Sequence, residues 1–174
     1  MARVHGGRMT AELDGEFVVF MIGRRLNKLW KVHKWFPVAR AMGPMLKLQQ
    51  NRAELGLLGM HAWIGPTGPL LVQYWRSAEH LERFAAEESL PHHGAVRDFY
   101  RRVGLDGDVG IWHETYVVGP GQWESIYGNM PRFGLAAAGA HVPVARKGER
   151  AAQRRSATGP AAGGTPRPPV ESVA

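Results

Sequence analysis

Residues 57–88 read LLGMHAWIGPTGPLLVQYWRSAEHLERFAAEE, and this stretch decides the fold. LLGMHAWI (57–64) alternates: Leu58, Met60, Ala62 and Ile64 take one face, Gly59, His61 and Trp63 the other. Such a period of two is that of a strand. GPTGP (65–69) is a five-residue turn signal, and LLVQYW (70–75) is a second strand, so the pair predicts a β-hairpin. Ser77 then suits a helix N-cap, and Leu81, Phe84 and Ala85 share one side of SAEHLERFAAEE. His80 stands at N3, so the capping box is incomplete.

Outward from the hairpin the same logic holds. EFVVFMIGRRLN (16–27) opens as a continuous Val- and Phe-rich run, as in a central strand. Residues 33–51 have near-helical spacing of Trp35, Val38, Ala39, Met42, Met45 and Leu46, broken at Gly43-Pro44. Pro91 starts a further helical stretch with Val96, Phe99, Tyr100 and Val103 at helical spacing, ending near Gly104. In GIWHETYVV (110–118), Ile111, His113, Thr115 and Val117 face one way and Trp112, Glu114, Tyr116 and Val118 the other. The order is βαββαβ, which predicts a ferredoxin-like α+β fold: an antiparallel sheet with helices on one face. The bare face needs a cover. With six tryptophans in 174 residues, a homodimer packed sheet on sheet supplies it.

The ends read differently. Residues 1–15 are polar and predict a flexible arm; residues 119–140 are Gly-rich with Trp123, Tyr127 and Phe133 and read as an ordered loop closing a domain over 16–140. Residues 141–174 are rich in Ala, Gly, Pro and Arg and predict a disordered basic tail. Of the formal net charge of +7, that tail holds six cations against two anions, and the first 140 residues hold sixteen against thirteen. The charge is therefore no nucleic-acid footprint, and no nucleic-acid partner is expected. The stretch GRRLNKLWKVHK (23–34) reads as a strand end entering a solvated helix start, or as cations that attract an anionic small molecule.

There is no cysteine, which excludes disulfides, thiolate metal sites and cysteine nucleophiles. No apolar run approaches membrane-spanning length and no secretory h-region opens the chain, so no membrane contact and a cytoplasmic location are expected. GxGxxG, P-loop, HExxH and GxSxG patterns are absent, which argues against a Rossmann-bound nicotinamide or a P-loop nucleotide. No metal site is expected.

Four phrases carry a resemblance: NKLWKVHKWFPV (27–38), LLVQYWRSAEHLERFA (70–85), VGIWHETYVV (109–118) and YGNMPRFGLAAAG (127–139). They resemble the dimeric α+β barrel superfamily of antibiotic-biosynthesis-type monooxygenases, and within it a monooxygenase-like branch related to a fumagillin-pathway polyketide monooxygenase. That resemblance implies cofactor-independent oxygenation of a small hydrophobic secondary metabolite. Deprotonation of a phenol or enol needs a base, a dry pocket and donors to hold the anion. His33 or His113 is the candidate base, and Asn27 and Trp75 are the candidate orienting donors. The superfamily also includes haem-degrading and aldoxime-dehydratase-like proteins. For that alternative His92 or His93, just after Pro91, is the axial-ligand candidate. A non-catalytic small-molecule-binding dimer is the third reading. His61, beside Trp63, and Glu114, beside Trp112 and Tyr116, are assigned structural roles; on a dimer face Glu114 calls for a partner such as arginine.

Overall fold

A computed structural model describes residues 2–33, 53–87, 101 and 106–159. In chain order the elements are β1 (His5–Glu12), β2 (Phe17–Leu26), β3 (Leu57–Gly65), β4 (Gly68–Trp75), α1 (Ala78–Ala86), β5 (Val109–Val118), β6 (Tyr127–Met130), α2 (Leu135–Ala138), β7 (Ala140–Pro143) and α3 (Ala151–Ser156). They fall into two compact units, Phe17–Val117 and the combination of Met1–Glu16 with Val118–Ala174.

The Phe17–Val117 unit holds a four-stranded sheet in the order β3-β4-β2-β5. β4 runs antiparallel to both β2 and β3. This is the strand order expected of a βαββαβ ferredoxin-like chain, and the sequence predicted all four strands, β3 and β5 by alternation and β2 and β4 as apolar runs. The helical stretches expected at 33–51 and 91–104 lie outside the described residues, apart from their edges. α1 forms where expected. Ser77 Oγ accepts from the His80 amide at 3.4 Å and lies 2.8 Å from the His80 ring Nδ1, so serine caps the helix and the N3 side chain bonds the cap hydroxyl.

One sheet face carries the core. Val18 and Trp75 lie opposite each other on β2 and β4, and Leu81 and Phe84 of α1 pack on them, with Phe20, Leu55, Leu57 and Ala78 at the margin. Leu81 and Phe84 are one helical turn apart, so a single stripe of α1 reaches the sheet.

The hairpin is tighter than GPTGP suggested. The strands stay paired to Gly65 and Gly68, leaving only Pro66 and Thr67 in the turn. Gly68 has φ of +136°, and a Cβ there would lie 2.2 Å from the Arg24 carbonyl oxygen on β2. Only glycine satisfies both conditions. Gly68→Ala is expected to cost about 2–3 kcal/mol of stability, read from urea unfolding followed by circular dichroism. An unchanged midpoint would mean that β2 does not approach the turn this closely.

The other unit corrects the reading of both chain ends. Residues 5–12, expected as part of a flexible arm, form the central strand of a sheet ordered β6-β1-β7, antiparallel to both neighbours. The expected disordered tail from 141 carries β7 and α3 as far as the described residues run, to 159. Residues 119–140, read as a loop, hold β6 and α2. Composition alone hid this because the stabilising partners are remote in sequence. Glu12 is buried, and its carboxylate meets Lys147 Nζ at 2.9 Å and Arg146 Nη2 at 3.6 Å. Arg154 is buried and donates to Glu124 at 2.7 Å and to the carbonyl oxygen of Glu149 at 2.8 Å. Cations that looked solvated thus pair with carboxylates within the fold, one of them, Glu12, buried.

His141 on β7 is a third unexpected feature here. Both ring nitrogens are sealed from water without hydrogen-bond partners. The His5 ring stands edge-on at 4.9 Å and the Tyr127 ring at 5.4 Å. Burial, then the charges of His5 and Arg132, lower its pKa below the ordinary 6.5. A histidine with a lowered folded pKa is bound by fewer protons folded than unfolded. This unit therefore loses stability as pH falls from about 6.5 through the lower folded value. His141→Phe is expected to flatten that slope in thermal melts between pH 7.5 and 5.

Candidate active site

The site builds from the helix-facing side of the four-stranded sheet. Phe20 on β2 pairs directly with Gln73 on β4, so the two side chains share that face. Trp75, two residues on, is fully buried and donates its indole N–H to Gln73 Oε1 at 3.0 Å. Phe84 of α1 closes over the indole at a ring separation of 5.2 Å. On the other flank, His113 of β5 lies 5.7 Å from the Phe20 ring. The result is a row across three strands, His113–Phe20–Gln73–Trp75. An exposed imidazole stands at one end and a buried polar pair in an aromatic setting at the other.

Two of the four predicted site residues, His113 and Trp75, therefore share one face. Gln73 was missed, although the signal was present: in LLVQYW it is the one polar residue in phase with Leu71 and Trp75. Trp75 is an indirect member of the site, because its N–H is engaged by Gln73.

Asn27 lies elsewhere. Its Nδ2 donates to the Gly107 carbonyl at 2.9 Å, its Oδ1 accepts from Arg25 Nε at 3.1 Å, and its backbone N–H donates to the Asp108 carbonyl at 3.0 Å. It fastens the end of β2 to the loop that enters β5. At about 3.3 Å per strand residue, Asn27 is some 30 Å along β2 from Val18, the partner of Trp75. One small substrate cannot touch both. His33 follows Asn27 through a turn closed by Lys31 N–H to Lys28 carbonyl at 3.1 Å, and it is exposed. His92 and His93 lie outside the described residues.

Asp108 was also missed. It has no exposed surface, and its two carboxylate oxygens meet Lys28 Nζ at 2.8 Å and Lys31 Nζ at 2.6 Å. Two cations of the 23–34 stretch, read as solvated or as attracting an anion, instead share one carboxylate from within the fold.

The opposite sheet face is apolar and half open. The Trp112 indole lies over Gly23, where a Cβ would approach it to 2.7 Å. The His61 and Trp63 rings are 5.9 Å apart. Glu114 accepts from the Tyr116 hydroxyl at 2.6 Å within the chain, and this bond raises the tyrosine pKa above its usual value. Among the described residues no group of three His, Asp or Glu side chains is placed to hold a metal ion. None of their helices is long and apolar enough to cross a membrane.

A sequence model of the family described as Monooxygenase af470-like matches residues 17–135, which takes in the whole Phe17–Val117 unit. Monooxygenase af470 of Aspergillus fumigatus is 28% identical over 149 residues, covering 74% of this chain and 53% of that protein. The chain thus spans about half the length of this curated relative.

Proposed function

Because the chain belongs to the Monooxygenase af470-like family, we propose that it oxygenates a small hydrophobic, ionisable compound without flavin, haem or metal. The substrate class is a phenol or enol of polyketide or terpenoid type. The observation that carries this reading is the row His113–Phe20–Gln73–Trp75. An imidazole at the edge of an aromatic floor can take the substrate's hydroxyl proton, while the flat ring lies against Phe20. The resulting anion is electron-rich enough to reduce oxygen. For a phenol, one oxygen atom enters the ring, the second leaves as water, and the product is a quinone. Every electron then comes from the substrate, so no further reductant is needed.

His113 is the preferred base because it alone of the two candidate histidines stands beside this row; His33 is the alternative. Gln73, held by the Trp75 N–H, positions Phe20 through their shared cross-strand contact.

The second sheet face fits a homodimer. Trp63, Trp112 and Tyr116 are each more than a third exposed there, with the Glu114–Tyr116 pair at the margin. A two-fold packing of this face on itself covers them.

The test is oxygen uptake with a panel of phenols and enols, run beside an absorbance spectrum before and after added haemin. Uptake with quinone formation and no Soret band supports the proposal. Stoichiometric haemin binding with a strong Soret band moves the assignment to the haem-binding alternative. Neither uptake nor haemin binding leaves the non-catalytic binding dimer.

A further inference from the structure

The end of the sheet where β2 finishes is built inside out. The Leu26 N–H donates to the Thr67 carbonyl at 2.7 Å, so the turn after β2 and the tip of the β3–β4 hairpin are joined. From these two loops project the two most exposed large apolar side chains of the described residues, Ile64 at 91% and Trp30 at 74%, along with Leu29 and Val32. The reversal has a cause. Lys28 and Lys31, one helical turn apart, both reach inward to the fully buried Asp108. Fixing these two cations inward turns the intervening and following positions, 29, 30 and 32, towards solvent. A turn free to choose would do the opposite and keep lysine wet and tryptophan dry.

We infer that this end of the sheet docks peripherally on an anionic lipid surface, with Ile64 and Trp30 entering the headgroup layer. Charge selects the occupant. Arg24, Arg25, Lys28 and Lys31 stand at this end against Asp106 and Asp108 of the loop that Asn27 binds, so a surplus of two cations remains after Asp108 is paired, and the hairpin tip from Trp63 to Pro69 has no charge of either sign. An apolar tip flanked by cations is the pattern of interfacial binding, with tryptophan favoured at headgroup depth. A second copy of the chain meeting this end two-fold would bring like charges together, which disfavours self-association there. This departs from the expectation of no membrane contact. That expectation rested on the lack of a spanning segment, and interfacial docking needs none.

The full-length chain should co-sediment with vesicles of phosphatidylcholine mixed with phosphatidylserine, and far less with phosphatidylcholine alone. Binding should weaken as salt is raised. Ile64→Asp should lower vesicle affinity by about tenfold or more while leaving the circular dichroism spectrum intact, since Ile64 makes little of the fold. Trp30→Ser should act likewise. Val4→Asp, at an exposed apolar residue of the other unit, should change nothing. Three results would overturn the inference. One is no binding to anionic vesicles. The second is parental binding by both Ile64→Asp and Trp30→Ser, which would assign any affinity to basic residues elsewhere. The third is a loss of oligomer mass in Ile64→Asp without a loss of vesicle binding, which would make this end a protein interface.

Discussion

Replacing Trp75 by alanine lowers the unfolding free energy of the Phe17–Val117 unit by about 3–5 kcal/mol. The indole has no exposed surface and is the largest side chain buried to this degree among the described residues. It touches both layers: Val18 lies opposite it on β2, and Phe84 and Leu81 of α1 cover it. Truncation removes the transfer free energy of the ring system. It also leaves a cavity between sheet and helix that two rigid elements cannot close. Gln73 loses the indole donor as well. Trp75→Phe separates these terms. It keeps most of the packing and loses the N–H, and it should cost about 1–2 kcal/mol. Urea unfolding followed by circular dichroism reads both values. If alanine costs less than about 1 kcal/mol, Trp75 is not the centre of this core. If phenylalanine leaves stability and turnover unchanged, the bond to Gln73 positions nothing.

The parts of this architecture legible in the sequence are those set by local periodicity. β5 is the clearest case. Its strict alternation put His113 and Trp112 on opposite faces, and the structure places one against Phe20 and the other over Gly23. α1 was equally readable, because the N-cap and the apolar stripe lie within ten residues of each other. What stayed hidden depends on pairing across long separations. β1 contains Gly6 and Gly7 and mostly polar residues, so nothing in it proclaims a strand; it forms because β6 and β7, more than 110 residues away, bond to both its edges. The buried state of Glu12 and Arg154 likewise rests on partners that no window of sequence contains. The candidate site divides the same way. His113 and Trp75 were each readable on their own strands, and the structure brings them to a shared face. Distance along β2, which separates Asn27 from that face, leaves no mark in the pattern. Gln73 and Asp108 were each visible as polar residues in apolar or turn contexts. Their burial depends on Trp75 in one case and on two lysines nearly eighty residues away in the other.

His113→Gln reduces kcat by about 10²–10⁴-fold on a phenolic substrate while leaving stability within about 0.5 kcal/mol. The stability half follows from exposure: the side chain lies at the open edge of the sheet, so an amide of similar size is tolerated there. The rate half follows from proton transfer, because glutamine can hydrogen-bond a hydroxyl but cannot accept its proton. Two further readouts separate a base from a residue that only shapes the surface. The acidic limb of the pH–rate profile, present in the parent, should vanish in the variant. Substrates acidic enough to be ionised at the assay pH should recover most of the lost rate, since their proton has already left. Asn27→Ala provides the contrast. Its amide ties β2 to the Gly107 carbonyl, so it should lower stability and spare the pH profile. Loss of turnover in His33→Gln with full turnover in His113→Gln would transfer the base to His33 and move the site to the far end of β2. Full turnover in both single variants would remove histidine from the chemistry and leave the row across the sheet a packing feature.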